Sequence, residues 1–263
     1  MRSTRSIVSR SVERLKVPQR VVSLVPSITE TLFDLGAGES VVGVTDFCIF
    51  PPDLDRARVG GTKNPRVGEI RTLAPDLVHM NFEENLKRHA DAIQSFTSVH
   101  VSEPKTVSDV GALIEMLGEI HDRRERAAML AVELREAMDS LPKRTFTFAC
   151  PIWKNPWMWC GGDTYVSSLI STAGGRNVLE ESKRYPTKSL SEIAAMHPDV
   201  IFLPDEPYVF KREDAEEVAA QTKAQIVGPF PGHLFTWHGT RTIHGLRYLR
   251  DVRFDQKIAA SRP

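Results

Sequence analysis

The chain has 263 residues, of which 41% are hydrophobic, so it can form one large domain or two small ones. Its 34 basic side chains balance its 34 acidic ones, and no apolar run approaches the length of a bilayer-spanning helix; neither feature favours binding to nucleic acid or insertion into a membrane. The three cysteines, Cys48, Cys150 and Cys160, lack metal-ligand spacing, and their odd number argues against a disulfide framework. We interpret Cys150 as a small buried residue at a strand end.

The first 18 residues are rich in arginine and have neither a continuous apolar segment nor a small-residue cleavage site. They are therefore not predicted to be a secretory signal peptide. We interpret residues 1–18 as a disordered basic arm. As written, the sequence predicts a cytoplasmic protein.

Residues 19–105 alternate short apolar strands with helices, which indicates an N-terminal α/β lobe. Ser27 and Glu30 predict a capping box at the first helix, which follows a strand at 21–25 and ends near Gly36. Further strands are predicted at 41–44, 77–80 and 99–101, a helix at about 86–96, and loops at 46–52 and 60–65.

Residues 106–141 have apolar side chains at three- and four-residue steps, which predicts a helical linker. Thr106 with Asp109, and Asp122 with Glu125, predict two N-terminal caps. The first helix should therefore end near residue 119. A second helix over 122–141 would be about 30 Å long, enough to span a small domain.

The sequences on either side of this linker are alike. Residues 69–78 and 192–201 each predict a short amphipathic helix, a Pro-Asp turn and an apolar strand, and each follows a helix that ends in glycine. Coincidence is the alternative, because such units are common in α/β proteins. Two matched units in the same order favour duplication.

Residues 142–263 predict a C-terminal α/β lobe with strands at 145–150, 200–203 and 226–227 and helices at 164–172 and about 240–250. Three tryptophans lie within residues 153–159 among prolines, so we predict a loop there. Trp157 and Trp237 are the stronger ligand candidates, whereas Trp153 or Trp159 could pack inside the lobe. Residues 161–164 lack a nucleotide-binding spacing, so we interpret them as a helix start.

The segments at 21–30 and 36–44, the duplicated unit and the joining helix resemble the helical-backbone substrate-binding proteins of ABC importers, nearest to the cobalamin-binding members. The resemblance covers about residues 19–250. It implies two Rossmann-like lobes with short, mostly parallel sheets joined by a single spanning helix. It also implies a monomeric, non-enzymatic protein without an intrinsic cofactor, which holds a corrinoid, haem or ferric chelate between its lobes and delivers it to an ABC permease.

In this family, loops at the carboxyl ends of the strands hold the ligand. Broad flat ligands need aromatic area and a few orienting polar groups. His238 could also coordinate the metal centre of the ligand, although a hydrogen-bonded or surface histidine is the alternative. The matching positions here are Phe47, Cys48, Lys63, Asn64, Glu83 and Glu84 (within 81–85), Trp157, Trp159, Tyr185, Glu206, Tyr208, Trp237, His238 and Arg241.

Two departures from the family pattern leave other functions open. The signal or lipoprotein segment is not seen, and the glutamates that would dock a permease, Glu69 and Glu192, stand one position later than expected and could instead cap helices. One alternative is an intracellular corrinoid or metal-chelate handling protein not coupled to a permease. The other is a tetrapyrrole-acting enzyme with His238 or the Glu83/Glu84 pair as acid–base groups, although that pair could also cap the next helix.

Overall fold

The computed structural model describes residues 16–253, so most of the predicted basic arm and the last ten residues lie outside the described part. The described chain forms two compact units. Unit 1 contains residues up to 104 and residues 110–132, and unit 2 contains residues 105–109 and those from 133 onward. None of the helices within 16–253 is both long and apolar enough to cross a membrane.

Unit 1 is built on a parallel sheet of five strands in the order β3-β2-β1-β4-β5. The boundary between the units falls within two further helices, α4 and α5, so each helix contributes residues to both units. The elements are β1 (Val21–Ser23), α1 (Pro26–Asp34), β2 (Val41–Val44), β3 (Ala57–Arg58), α2 (Val67–Thr72), β4 (Leu77–Asn81), α3 (Lys87–Gln94), β5 (Ser98–Ser102), α4 (Val107–Ile120) and α5 (Arg124–Asp139).

The first helix begins differently from its prediction. It starts at Pro26, with Val25 as N-cap and no side-chain cap, so the predicted Ser27–Glu30 capping box is wrong. Proline suits this position because the first N–H of a helix has no intrahelical partner. The cap predicted at α4 is confirmed: Thr106 N donates to Asp109 Oδ2 at 2.9 Å, and Asp109 N donates to Thr106 Oγ1 at 3.1 Å.

The apolar core of unit 1 contains a polar chain of three histidines. His79 Nδ1 lies 2.9 Å from His100 Nδ1, and His79 Nε2 lies 2.9 Å from His121 Nε2. Because a neutral imidazole has one N–H, His79 donates to one neighbour and accepts from the other. Burial lowers the pKa of His79 well below its usual value and the pKa of His100 and His121 to about 4. The three imidazoles are therefore neutral at pH 7.

Unit 2 has a parallel sheet of four strands in the order β11-β10-β6-β9 and a separate antiparallel hairpin, β7–β8. The mostly parallel sheets with flanking helices confirm the predicted α/β class. The elements are β6 (Phe146–Ala149), β7 (Pro151–Trp153), β8 (Met158–Trp159), α6 (Tyr165–Thr172), β9 (Gly175–Asn177), α7 (Leu190–Ala195), β10 (Val200–Pro204), α8 (Arg212–Thr222), β11 (Gln225–Phe230), α9 (His233–Thr236) and α10 (Arg241–Asp251).

The main corrections fall in unit 2. The tryptophan-rich segment predicted as a loop forms the hairpin β7–β8, with Pro151 paired to Trp159 and Trp153 to Met158. Helix α8 was not predicted, because its contact with the core is narrow: Asp214, Val218 and Thr222 are its buried residues. A stripe with so few apolar positions gives little periodic signal.

The two units repeat one local arrangement at matching strands. Ala74 and His197 both have left-handed backbone (φ 45° and 51°), and each is followed by Pro-Asp and a strand. Asp76 accepts hydrogen bonds from Gln19 N and Arg20 N (2.7 and 3.1 Å), and Asp199 accepts one from Thr147 N (2.7 Å). In both units the aspartate thus holds the start of the neighbouring strand, as duplication predicts.

Candidate functional site

In unit 1, the loops that follow the carboxyl ends of the strands are joined by buried asparagines. Asn85 Nδ2 donates to Leu24 O at 3.2 Å and to Thr62 O at 2.9 Å, and its Oδ1 accepts from Asn81 N at 2.7 Å. Asn81 Oδ1 in turn accepts from the backbone N–H groups of Glu83 and Glu84 (2.8 and 3.1 Å). These bonds hold Leu24, Thr62 and the loop 81–85 together, and Asp46 N donates separately to Gly60 O at 3.0 Å. We call residues 46–50, 61–64 and 81–85 the unit 1 rim.

The unit 1 rim exposes large apolar side chains. Phe47 is 60% exposed, Ile49 52% and Phe82 62%. Lys63 lies beside them and donates to the carbonyl oxygen of Glu83. Asn64 is exposed and lies next to Gly61. Apolar surface flanked by a few polar groups is the composition expected of a small-molecule site.

In unit 2, hairpin β7–β8 forms an interlocked aromatic group with the loop after β10. Trp157 stacks on Phe210 with ring centroids 5.7 Å apart and planes within 7°, and it also stacks on Trp159 at 5.8 Å. Trp153 meets Tyr208 edge-to-face at 5.5 Å. We call Trp153, Trp157, Trp159, Tyr208 and Phe210 the aromatic platform.

The side chains of the aromatic platform differ in how much of their surface is exposed. Trp159 is fully buried and Phe210 is 2% exposed, whereas Trp153 is 43% exposed and Trp157 and Tyr208 are half-buried. The buried rings therefore anchor Trp153, Trp157 and Tyr208, which remain partly exposed. Of the two tryptophans that could pack inside the lobe, Trp159 does so, and its prediction as a ligand contact is wrong because it has no exposed surface.

Lys154, at the turn of the hairpin, ties the platform to α8. Its Nζ lies 2.5 Å from Asp214 Oδ1 and 2.6 Å from Glu217 Oε2, and 5.5 Å from the centre of the Trp157 ring. Its side chain is only 19% exposed. The two carboxylates raise the pKa of Lys154, so the ammonium stays charged. No local pattern marks the contact of Lys154 with α8, because Asp214 lies 60 residues further along the chain.

Trp237 and its neighbours lie deeper in unit 2. Trp237 is 8% exposed, and its Nε1 donates to Glu206 Oε2 at 3.2 Å. Burial raises the pKa of Glu206. His238 is 5% exposed and lies edge-to-face against Tyr165 at 6.2 Å, and burial lowers its pKa to about 4. Arg241 is 7% exposed. This group stiffens the loop before α10 and offers little surface to a ligand.

Two other positions from the sequence analysis, Cys48 and residues 161–164, have structural roles. Cys48 has no exposed surface, and its thiol lies 3.2 Å from the hydroxyls of Thr29 and Thr45. Residues 161–164 start helix α6, as interpreted: Thr164 Oγ1 accepts from Ser167 N at 3.3 Å. A Cβ at Gly162 would lie 2.0 Å from Glu180 O, so this close approach requires glycine.

The two candidate docking glutamates are exposed at matching places. Glu69 is the third residue of α2, and Glu192 is the third residue of α7. Glu69 pairs with Arg66 at 2.7 Å. Glu192 completes a capping box with Ser189, whose backbone N–H holds the pKa of Glu192 down to about 2 together with Lys188. The capping role is confirmed for Glu192, whereas Glu69 is engaged by an ion pair.

Comparison with known proteins decides the family. The model of the family described as "Periplasmic binding protein" matches residues 21–226, most of the chain. This chain belongs to that family. An uncharacterized ABC transporter substrate-binding lipoprotein of Bacillus subtilis is 26% identical over 253 residues, which are 90% of this chain and 80% of the relative.

This family member is also similar to a second curated protein and to a solved structure. A vitamin B12-binding protein of Photorhabdus laumondii is 26% identical over 194 residues, covering 71% of this chain and 70% of the relative. The crystal structure of a periplasmic haem-binding protein of Vibrio cholerae superposes with a TM-score of 0.76 at 18% identity, covering 88% of this chain and 97% of that one. The second likeness concerns the fold alone.

Within residues 16–253, no group of three or more His, Cys, Asp or Glu side chains is arranged to hold a metal ion. The Glu83/Glu84 pair precedes α3, which has no side-chain cap. Asn81 fixes the backbone of this pair.

Proposed function

We propose that this chain is a non-enzymatic substrate-binding protein that binds a corrinoid, or a related metal chelate, for an ABC importer. Each unit carries its own set of proposed contact residues, the rim in unit 1 and the aromatic platform in unit 2. The observation that carries the proposal is the platform, where Trp153 is 43% exposed, Trp157 and Tyr208 are half-buried, and contacts with neighbouring rings hold all three in place. Rings already fixed in position lose little side-chain entropy on binding.

The unit 1 rim supplies the complementary features. Phe47 and Phe82 add apolar area, and Lys63 and Asn64 can donate hydrogen bonds to amide or carboxylate groups of a chelate. Tyr185, half-buried beneath the Arg184 guanidinium in unit 2, is a further proposed contact. We leave Cys48, Trp159 and His238 out of the contact set, because their side chains are enclosed.

A corrinoid is favoured over haem because the sequence relatives include vitamin B12-binding proteins. The predicted metal ligand His238 is buried, so the contacts proposed for the rim and the platform are ring area and hydrogen bonds. Such contacts suit a chelate that brings its own metal ligands.

The test is titration of the protein with cyanocobalamin, haem and a ferric siderophore, followed by tryptophan fluorescence. We expect quenching by cyanocobalamin with a Kd in the micromolar range or tighter. Trp157→Ala and Trp153→Ala should each weaken binding about tenfold, since half-buried aromatic anchors dominate such sites. Met129→Ala, at an exposed position on α5, is the matched control and should bind normally.

Two results would contradict the proposal. The first is no binding of any of the three ligands at tens of micromolar. The second is tight binding that Trp153→Ala and Trp157→Ala leave unchanged. Haem binding that needs His238 would favour the alternative ligand class instead.

Transport to a permease is the second part of the proposal. Glu69 and Glu192 are its docking residues, because they occupy equivalent exposed positions of α2 and α7. Charge reversal at both should abolish ligand-stimulated ATP hydrolysis by the cognate importer while leaving ligand affinity intact. Fractionation of the native host distinguishes this role from that of an intracellular handling protein, which would be found in the cytoplasm.

A further inference from the structure

Cys150 and Cys160 face each other at the base of hairpin β7–β8. The ladder pairs Pro151 with Trp159, so the next pair outward in the same register is Cys150 with Cys160. A backbone hydrogen bond of 2.8 Å from Cys160 N to Cys150 O closes this position. Directly opposed residues of antiparallel strands have Cα atoms about 4.5–5.5 Å apart and side chains on the same face. Disulfides form at Cα separations of roughly 4.4–6.8 Å.

The two side chains also meet. Both residues have no exposed surface, and both cysteines are thiols in this structure. Burial raises the pKa of Cys150, and a hydrogen bond with the Cys160 thiol raises it further. Such a contact places one sulfur next to the other inside the fold. The third cysteine, Cys48, has threonine hydroxyls as its neighbours instead.

We propose that Cys150 and Cys160 are a modification site, at which a disulfide oxidant joins them into an intramolecular cross-link at the base of the aromatic platform. The counting of cysteines could not reveal this pair, because the unpaired Cys48 makes the total odd. The inference is independent of the ligand proposed above. It needs only a small disulfide such as oxidised glutathione.

The reaction balances as two thiol–disulfide exchanges. One cysteine, as thiolate, attacks the oxidant, forms a mixed disulfide and releases one glutathione thiolate. The second cysteine, as thiolate, attacks the protein sulfur of that mixed disulfide, forms the Cys150–Cys160 bond and releases the second glutathione. The two protein protons end on the two released glutathione molecules. Because a buried thiol is seldom ionised, oxidation should be slow in the native protein and fast during refolding.

The cross-link would fix the stem of the hairpin that carries Trp153 and Trp157. It closes a short loop, so its main effect is to restrict the unfolded chain, and we expect the thermal midpoint to rise by roughly 5 °C. The open ring faces lie beyond the stem, so ligand affinity should change little.

The experiment is thiol counting on the whole chain, purified with a reductant and then incubated with oxidised glutathione, both as native protein and during refolding. After denaturation and alkylation, we expect three free thiols to fall to one. Trypsin separates the two cysteines, because Cys150 lies in the peptide 145–154 and Cys160 in 155–176. Mass spectrometry should find these two peptides joined, with Cys48 alkylated in 21–56.

Variants complete the test. Cys48→Ser should still form the cross-link and show the raised thermal midpoint, whereas Cys150→Ser and Cys160→Ser should not. Three free thiols after oxidative refolding would overturn the proposal. So would stable glutathione adducts without a joined peptide, or cross-links between chains. The thiol count of the unmodified sequence decides the matter even if a cysteine variant fails to fold.

Discussion

The two units share one topology but differ where strand passes to helix at the centre of each sheet. In unit 1, β1 leads into α1 through Leu24 and Val25 alone. In unit 2, residues 150–164 separate β6 from α6 and contain the β7–β8 hairpin with three tryptophans. The duplicated fold therefore supplies matching scaffolds, and an insertion at a carboxyl strand end gives one of them its aromatic surface. Ligands of open α/β sheets bind at these ends.

The cores also differ at one equivalent position. Counting from the matched Asp76 and Asp199, His79 in β4 corresponds to Phe202 in β10, and both are fully buried. His79 is satisfied by two imidazoles, whereas Phe202 packs against Phe146, Phe148 and Phe235 with ring centroids 5.4–6.3 Å apart. The same backbone thus supports a polar or an aromatic interior, provided that the neighbours match.

The largest expected difference between the two cores is in how strongly acid lowers the free energy of unfolding. His100 and His121 have folded-state pKa values of about 4, below the usual 6.5, so the unfolded chain binds protons first as the pH falls. The contribution of these two histidines to the free energy of unfolding is fully present above pH 6.5 and is lost as the pH falls from 6.5 to 4. Each histidine contributes about 3 kcal/mol to this loss, on the basis of about 1.4 kcal/mol per pKa unit.

The measurement is urea unfolding at several pH values from 7 to 4, with NMR titration of the histidine rings. Arg123 and Asp76 also act on His121, with opposite signs, so ionic strength is held constant. The double variant His100→Gln/His121→Gln should have a shallower pH dependence. An unchanged slope, or imidazole resonances of His100 and His121 that titrate near pH 6.5, would contradict this account.

Replacing Phe202 in the core of unit 2 should have the next largest effect on the free energy of unfolding. Phe202→His places an imidazole among phenylalanines, without a hydrogen-bond partner, and should cost about 4 kcal/mol of unfolding free energy. Phe202→Leu, which keeps the site apolar, should cost less. Chemical denaturation measures both. Equal losses would mean that volume alone, and not polarity, decides this position.

Removing the matched aspartates Asp76 and Asp199 should lower the free energy of unfolding by smaller amounts, which differ between the two units. Asp199→Ala removes bonds from Thr147 N and Thr147 Oγ1 (2.7 and 2.8 Å) at a half-buried position and should cost about 2 kcal/mol. Asp76→Ala, at an exposed position, should cost about 1 kcal/mol. Denaturant midpoints of the two variants give the comparison. A larger loss for Asp76→Ala would contradict the expectation that the half-buried Asp199 contributes more to stability than the exposed Asp76.

The hairpin clamp should give the smallest effect on stability. Lys154→Ala should cost about 1 kcal/mol, because its ion pairs with α8 are mostly shielded from water. Arg212→Ala on the same helix is the matched control, since its pair with Glu216 is exposed and should contribute almost nothing. Hydrogen exchange of residues 151–159 should rise in the Lys154 variant alone. Equal exchange in both variants would remove the assigned role of Lys154.

Sequence patterns located most elements because their apolar residues follow a regular period. The strands at 41–44, 77–81 and 200–204 and the helices α4 and α10 lie within a few residues of their predictions. Helix α8 was missed because its buried stripe is narrow, and the hairpin because its two strands are too short to show alternation. Of the predicted site residues, exposure distinguished Phe47 from Cys48 and His238. Residue type could not make that distinction.

The sequence by itself determined the α/β class, the duplicated helix–Pro-Asp–strand unit and the concentration of tryptophans in the second half, because these depend on local periodicity and composition. Tertiary structure alone decided which rings stay open, that His79 meets His100 and His121, and that Cys150 faces Cys160. Those facts depend on contacts between residues that are distant in sequence or on strand register. Local patterns do not encode either of them.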